Sequence, residues 1–134
     1  MKIVISDPKS GRSASMEIAA DKSAALAGKR IGEQIEGSFI GMQGYRLKIT
    51  GGSDTSGFPM DRSIQGTAKV KVLRLVSKSG KSSGQYRRRT VRGGIISDAA
   101  QVNMIIAEYG ERPIDDIFGP PKVKEKGAAP PEKK

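Results

Sequence analysis

The chain contains no cysteine, no histidine and no tryptophan. Without cysteine there is no disulfide framework and no thiolate metal site, which fits a reducing compartment. Without histidine the commonest general base and the commonest metal ligand are missing. Aromatic residues make up only 4% of the chain, which gives weak support to a base-stacking platform for single strands. No apolar run approaches the roughly 20 residues needed to cross a bilayer. The N-terminus offers one lysine and four apolar residues, Met1 and Ile3–Ile5, too short a run for a signal peptide. The expectation is a soluble cytosolic protein with no membrane partner. Apolar residues are few, at 36%, and glycine is abundant, at 17 of 134 residues. That composition predicts one loop-rich domain with a modest core.

The most telling absence is of acid. From Ser63 to Ser97 there is no Asp or Glu, while nine cations occur: Lys69, Lys71, Arg74, Lys78, Lys81, Arg87, Arg88, Arg89 and Arg92. The whole chain has a net charge of +10, and this stretch accounts for nearly all of it. A dispersed excess of positive charge confers only solubility, whereas a segregated one presents a field to a polyanion.

The pattern of residues places this stretch on strands. Met1–Ser6 is β-branched and extended, Asp7–Gly11 carries turn chemistry, and Ala14–Ile18 returns as a second strand of a hairpin. Asp21–Arg30 is the best helix candidate, with Asp21 or Ser23 as its cap. Ile31–Gly44 is glycine-rich and reads as irregular strand and turn. Tyr45–Thr50 alternates strictly and predicts a half-buried strand. Gly51–Pro59 reads as a loop. Thr67–Val76 is the strongest strand; its apolar phase slips at Leu73, which predicts a β-bulge or bend. Ser77–Gly84 reads as a flexible polar loop, Tyr86–Arg92 as a second basic arm and Val102–Tyr109 as a further strand. Pro113–Phe118 fits one helical turn. The residues from Gly119 to Lys134 have almost no apolar side chains, which predicts a disordered basic tail. The expected fold is mainly β: a small β-barrel-like domain over residues 1–118 with one or two short helices.

Basic side chains on the solvated face of a two-armed ribbon suit a phosphate backbone, and the arginine fork matches phosphate bidentately. No helix carries these cations, so reading of a DNA major groove by a helix is disfavoured. Backbone and shape recognition of folded RNA fits better. Other chemistry finds little footing. Gly80-Lys81-Ser82 resembles the end of a phosphate-binding loop, but that motif needs a glycine where Leu75 stands, and no helix follows. Asp115 and Asp116 are adjacent, and Asp54 and Asp61 are seven residues apart; neither pair makes a tight metal-binding cluster. No enzyme activity, cofactor, metal or small-molecule substrate is expected. The segment Gly51, Gly52, Asp54, Gly57, Phe58, Pro59 and Met60 has two readings. It is an ordered turn packed on the core, or a surface without side chains that RNA backbone approaches closely, with adjacent glycines free to take positive φ.

The loop GGSDTSGFPM (Gly51–Met60), the arm RRRTVRGGII (Arg87–Ile96) and SDAAQVNMII (Ser97–Ile106) occur here in order. MKIVISDPKSG at the start, YRLKITGG, and GERPIDDI (Gly110–Ile117) complete the pattern. In these segments, over about residues 1–118, the chain resembles the archaeal and eukaryotic small-subunit ribosomal protein six family, which is unrelated to the bacterial protein of that number. The resemblance implies a small barrel-like body that binds small-subunit ribosomal RNA. It further implies neighbouring ribosomal proteins as partners and a cytoplasmic place on the ribosome. Eukaryotic members carry a long basic helical extension with phosphorylated serines. No Ser or Thr follows Ser97 here, so that regulation is not carried over and the short form resembles archaeal members. A free-standing small-barrel RNA-binding regulator or translation factor is the alternative.

Overall fold

Strict alternation builds the first hairpin. β1 (Lys2–Asp7) points Ile3, Ile5 and Asp7 inward, and β2 (Arg12–Glu17) pairs with it antiparallel. The structure, a computed structural model, describes residues 1–119; the disordered tail expected beyond them lies outside the described residues. β1 also pairs, in parallel, with β7 (Ala99–Glu108), which buries Val102, Met104 and Ile106 on the same parity. β7 pairs on its other side with β4 (Arg46–Asp54), and β4 with the short β3 (Gln34–Glu36). The sheet order is β2-β1-β7-β4-β3. Ile3, Ile5, Leu47, Ile49, Val102 and Met104 form the floor of the core, and Leu26, Met42, Tyr45 and Ile96 cover it. Each such side chain withdrawn from water stabilises the fold by roughly 1.5–3 kcal/mol.

Asp7 shares the inward parity and is only 2% exposed. Its carboxylate accepts hydrogen bonds from the amides of Lys9 and Ser10, from the Ser10 hydroxyl and from the Tyr109 hydroxyl. Burial pushes the Asp7 carboxyl up, but these bonds outweigh it and hold the group below the ordinary carboxylate range. The bond to Asp7, followed by burial, pushes the Tyr109 phenol up. The Tyr109 ring meets Tyr45 edge-on at 6.1 Å, and the Lys9 ammonium lies 4.3 Å from its centroid.

The fold is mainly β, as expected, but its five-stranded sheet is open and does not close into a barrel. Other expectations need correction. The helix anticipated over Asp21–Arg30 is only α1 (Ala20–Ser23); after it the backbone continues in tight turns with bonds such as Leu26 N–H to Ser23 C=O. Neither Asp21 nor Ser23 caps it: the cap position is Ala19, and the Ser23 hydroxyl donates back to the Ala20 carbonyl. Burial of Leu26 fixes this segment more than helix propensity does. Gly51–Asp54 is strand rather than loop, because β7 is long enough to keep pairing β4 through Asp54. The second sheet is a ribbon of β5 (Lys69–Leu75) and β6 (Tyr86–Arg92). Its register runs unbroken from Lys69–Arg92 to Leu75–Tyr86, so the bulge expected near Leu73 is absent. The apolar phase slip marks leucines turned to solvent. A single helical turn, α2 (Ile114–Phe118), closes the described chain and packs Ile114, Ile117 and Phe118 on the core.

Candidate nucleic-acid interface

The ribbon is inserted between β4 and β7, and short hydrogen-bonded crossings hold its base. The Arg92 amide donates to the Pro59 carbonyl and the Asp61 amide to the Arg92 carbonyl, both at 2.8 Å. The Met60 amide donates to the Gly52 carbonyl at 3.0 Å. The loop therefore knits the end of β4 to the end of β6. Its turn is set by the Asp54 carboxylate, which accepts the Phe58 amide at 2.9 Å, and by Gly57 at φ +83°, a conformation that disfavours other residues.

Asp54 is also the electrostatic anchor. Its Oδ2 accepts from Arg92 Nε at 3.0 Å and lies 3.8 Å from Lys69 Nζ. Lys69 in turn sits 5.1 Å from the centroid of the Phe58 ring. Burial pushes the Asp54 carboxyl up, and the Phe58 amide, Arg92 and Lys69 more than reverse this, so the group lies below its ordinary value. A second acid, Asp61, holds Arg74 in an ion pair and accepts the amide and hydroxyl of Ser63. Asp54 and Asp61 each hold cations of their own.

The nine expected cations thus divide into two groups. Lys69, Arg74 and Arg92 are paired with acids of the body, Lys69 and Arg92 sharing Asp54. Lys71, Lys78, Lys81, Arg87, Arg88 and Arg89 are exposed and have no ion pair among the described residues. Lys78 and Lys81 lie in the connection between the strands. There the Ser83 hydroxyl donates to the Lys78 carbonyl at 3.1 Å and the Gly84 amide to the Ser77 carbonyl at 3.3 Å. Between ribbon and body lies a cleft of about 830 Å³, whose walls include Lys48, Arg62, Arg74 and Arg89 beside Asp61. Lys48 lies far from the acid-free stretch in the chain and the fold brings it there, whereas Arg62 directly precedes the stretch.

The glycine pair has split roles. Neither Gly51 nor Gly52 has positive φ, contrary to expectation. At Gly52 a Cβ would stand 2.5 Å from the Gln101 carbonyl oxygen and 3.2 Å from Met60 Sδ. The backbone that comes close there is β7. At Gly51 a Cβ would meet nothing within 4 Å. Pro59 and Met60 bridge Ser53 and Arg92 respectively, which makes them part of the ribbon's attachment. Sequence reasoning overlooked Asp61 as a partner for Arg74; its signal was its place as the last acid before the acid-free stretch.

The region that the comparisons match includes this loop and the arginine arm. The sequence profile of the family described as ribosomal protein S6e fits residues 1–119. The chain belongs to the ribosomal protein S6e family. It is 47% identical to the small ribosomal subunit protein eS6 of Methanocaldococcus jannaschii, over 88% of this chain and 90% of that one. It is 44% identical to the protein of the same name from Nanoarchaeum equitans, over 88% and 89%. Against that of Methanothermobacter thermautotrophicus the identity is 41%, over 88% and 94%. In this S6e chain the matched region takes in the whole sheet, the ribbon and the loop that joins them.

Proposed function

We propose that the unpaired cations Lys78, Lys81, Arg87 and Arg89 are the ribosomal RNA contact of this S6e protein, and that Lys69, Arg74 and Arg92 fix the ribbon instead of gripping RNA. The protein is a structural constituent of the small ribosomal subunit, on the ribosome in the cytoplasm, and its role is not enzymatic. Its partners there are ribosomal RNA and neighbouring ribosomal proteins. The observation that carries the RNA reading is the division of charge: acids of the body pair with cations at the ribbon's base, and the rest of the ribbon stays unpaired. A rigid array of cations binds folded RNA through phosphates and shape, releasing counterions as it does so. The cleft cations Lys48 and Arg62 extend the same field.

Titration with salt of the affinity for small-subunit rRNA fragments tests this. Four neutralised phosphates give a slope of log K against log salt of magnitude ~4, taking the duplex factor as a guide. Changing Arg87, Arg88 and Arg89 together to Ala lowers affinity and slope without lowering the melting temperature. A slope near zero, or unchanged affinity in the triple variant, refutes the reading.

A further inference from the structure

The ribbon has two unlike faces. Its register sets Leu73 opposite Arg88, Leu75 opposite Tyr86 and Lys71 opposite Thr90, so these side chains share one face. The other face carries Val72, Arg87, Arg89 and the Arg74 that pairs with Asp61 of the body. On the first face Leu73 is 65% exposed, Tyr86 61% and Leu75 38%. With Val70, these are the exposed large hydrophobic residues of the described chain, and all belong to the ribbon. The ribbon buries Val91 but presents these four side chains to solvent. Contiguous exposed apolar side chains mark interaction sites.

We propose that the face formed by Leu73, Leu75 and Tyr86 docks a neighbouring protein of the small subunit, at a segment that presents apolar side chains flanked by Asp or Glu. Aliphatic leucines offer RNA neither a π-face nor a hydrogen-bonding group, and a lone tyrosine supplies one stacking surface at most. A protein surface, by contrast, gains from covering all three, and tyrosine and arginine are the residues that dominate such interfaces. The rim fixes the partner's charge. Lys71 and Arg88 flank the leucines, and no acid occurs between Ser63 and Ser97 to neutralise them. A second copy of this chain would bring the same cations face to face, so self-association on this surface is repelled. The inference rests on the place of the chain in the small subunit; it gives Lys71 and Arg88 to the protein partner and leaves Lys78, Lys81, Arg87 and Arg89 to RNA.

Site-specific photocrosslinking tests it. Full-length protein with p-benzoylphenylalanine at position 73 is assembled into small subunits and irradiated. The expected adduct joins position 73 to a defined protein segment rich in Asp or Glu. An adduct to rRNA, to a basic segment or to a second copy, or the absence of any adduct, overturns the proposal. The same probe at position 87, on the opposite face, reports separately on the RNA reading: a protein adduct there counts against that reading alone. A second measurement uses Leu73→Ser combined with Tyr86→Ser, at positions too exposed to hold the fold together. Retention of this variant in subunits through a salt wash is expected to fall about tenfold, while affinity for isolated rRNA fragments changes less than about twofold. Unchanged retention, or an equal loss of fragment affinity, overturns the proposal.

Discussion

Arg92 Nε donates to Asp54 Oδ2 at 3.0 Å, and the residues between these two partners include almost the whole basic ribbon. One buried carboxylate thus joins the last residue of β4 to the last residue of β6. Replacing Asp54 by Ala leaves Lys69 and Arg92 side by side without their anion. The expected result is a lower melting temperature, with faster amide exchange at Lys69–Val72 and Thr90–Arg92 than in β1 and β7. Loss of protection spread evenly over the five-stranded sheet contradicts this role.

The glycine pair yields a comparison within one dipeptide. Gly52→Ala drives a methyl group into the Gln101 carbonyl and costs about 1–3 kcal/mol in urea unfolding. Gly51→Ala meets open space and changes stability by about 0.5 kcal/mol at most. If RNA backbone lies against Gly51, the Gly51→Ala variant loses rRNA affinity at unchanged stability. Unchanged affinity assigns both glycines to packing.

Acid unfolding follows from Asp7 and Asp54. Both carboxyls lie below their ordinary range in the folded protein, whereas the unfolded chain has them near about 3.9. Their stabilising contribution is full above that value and is lost as pH falls through the lower folded values. Urea midpoints are therefore expected to fall steeply below about pH 4. Asp7→Asn makes the protein less stable at neutral pH and flattens the acid limb. A variant with an equally steep acid limb shows that other groups govern it.

Single substitutions sort the ribbon's cations. Arg87→Ala or Arg89→Ala reduces the magnitude of the salt slope for rRNA binding by about 1, as expected for loss of one phosphate contact. Lys69→Ala leaves the slope in place, because its charge already faces Asp54. Equal slope changes in all three variants erase the distinction between anchoring and gripping residues.

Much of this arrangement is legible in the sequence because period-two alternation reports burial directly. Leu47 and Ile49 in β4 announce both strand and face, and the β-branched run of β1 announces a strand. The acid-free stretch announces the ribbon, since local charge needs no tertiary knowledge to detect. The errors occur where long-range contacts decide. Asp21–Arg30 has the composition of a helix but is bent by the burial of Leu26 and the bond from the Gly28 amide to Ile96. Gly51 and Gly52 carry loop signals yet stay in β4, because β7 provides partners that lie distant in the chain. The same limit hid the partners of Lys69, Arg74 and Arg92. A count of cations cannot tell which of them the fold has already paired.

The parallel pairing of Lys2–Ser6 with Gln101–Ile105 sets the order in which the protein is born. Synthesis delivers the N-terminal hairpin first, but the strand that must lie beside it emerges near the end. The ribbon needs only its own short connection, and non-local pairings close more slowly than local ones. A nascent chain therefore exposes its cationic ribbon before the sheet that carries it is finished. A product broken off before Ala99 carries the ribbon's cations with no completed body behind them.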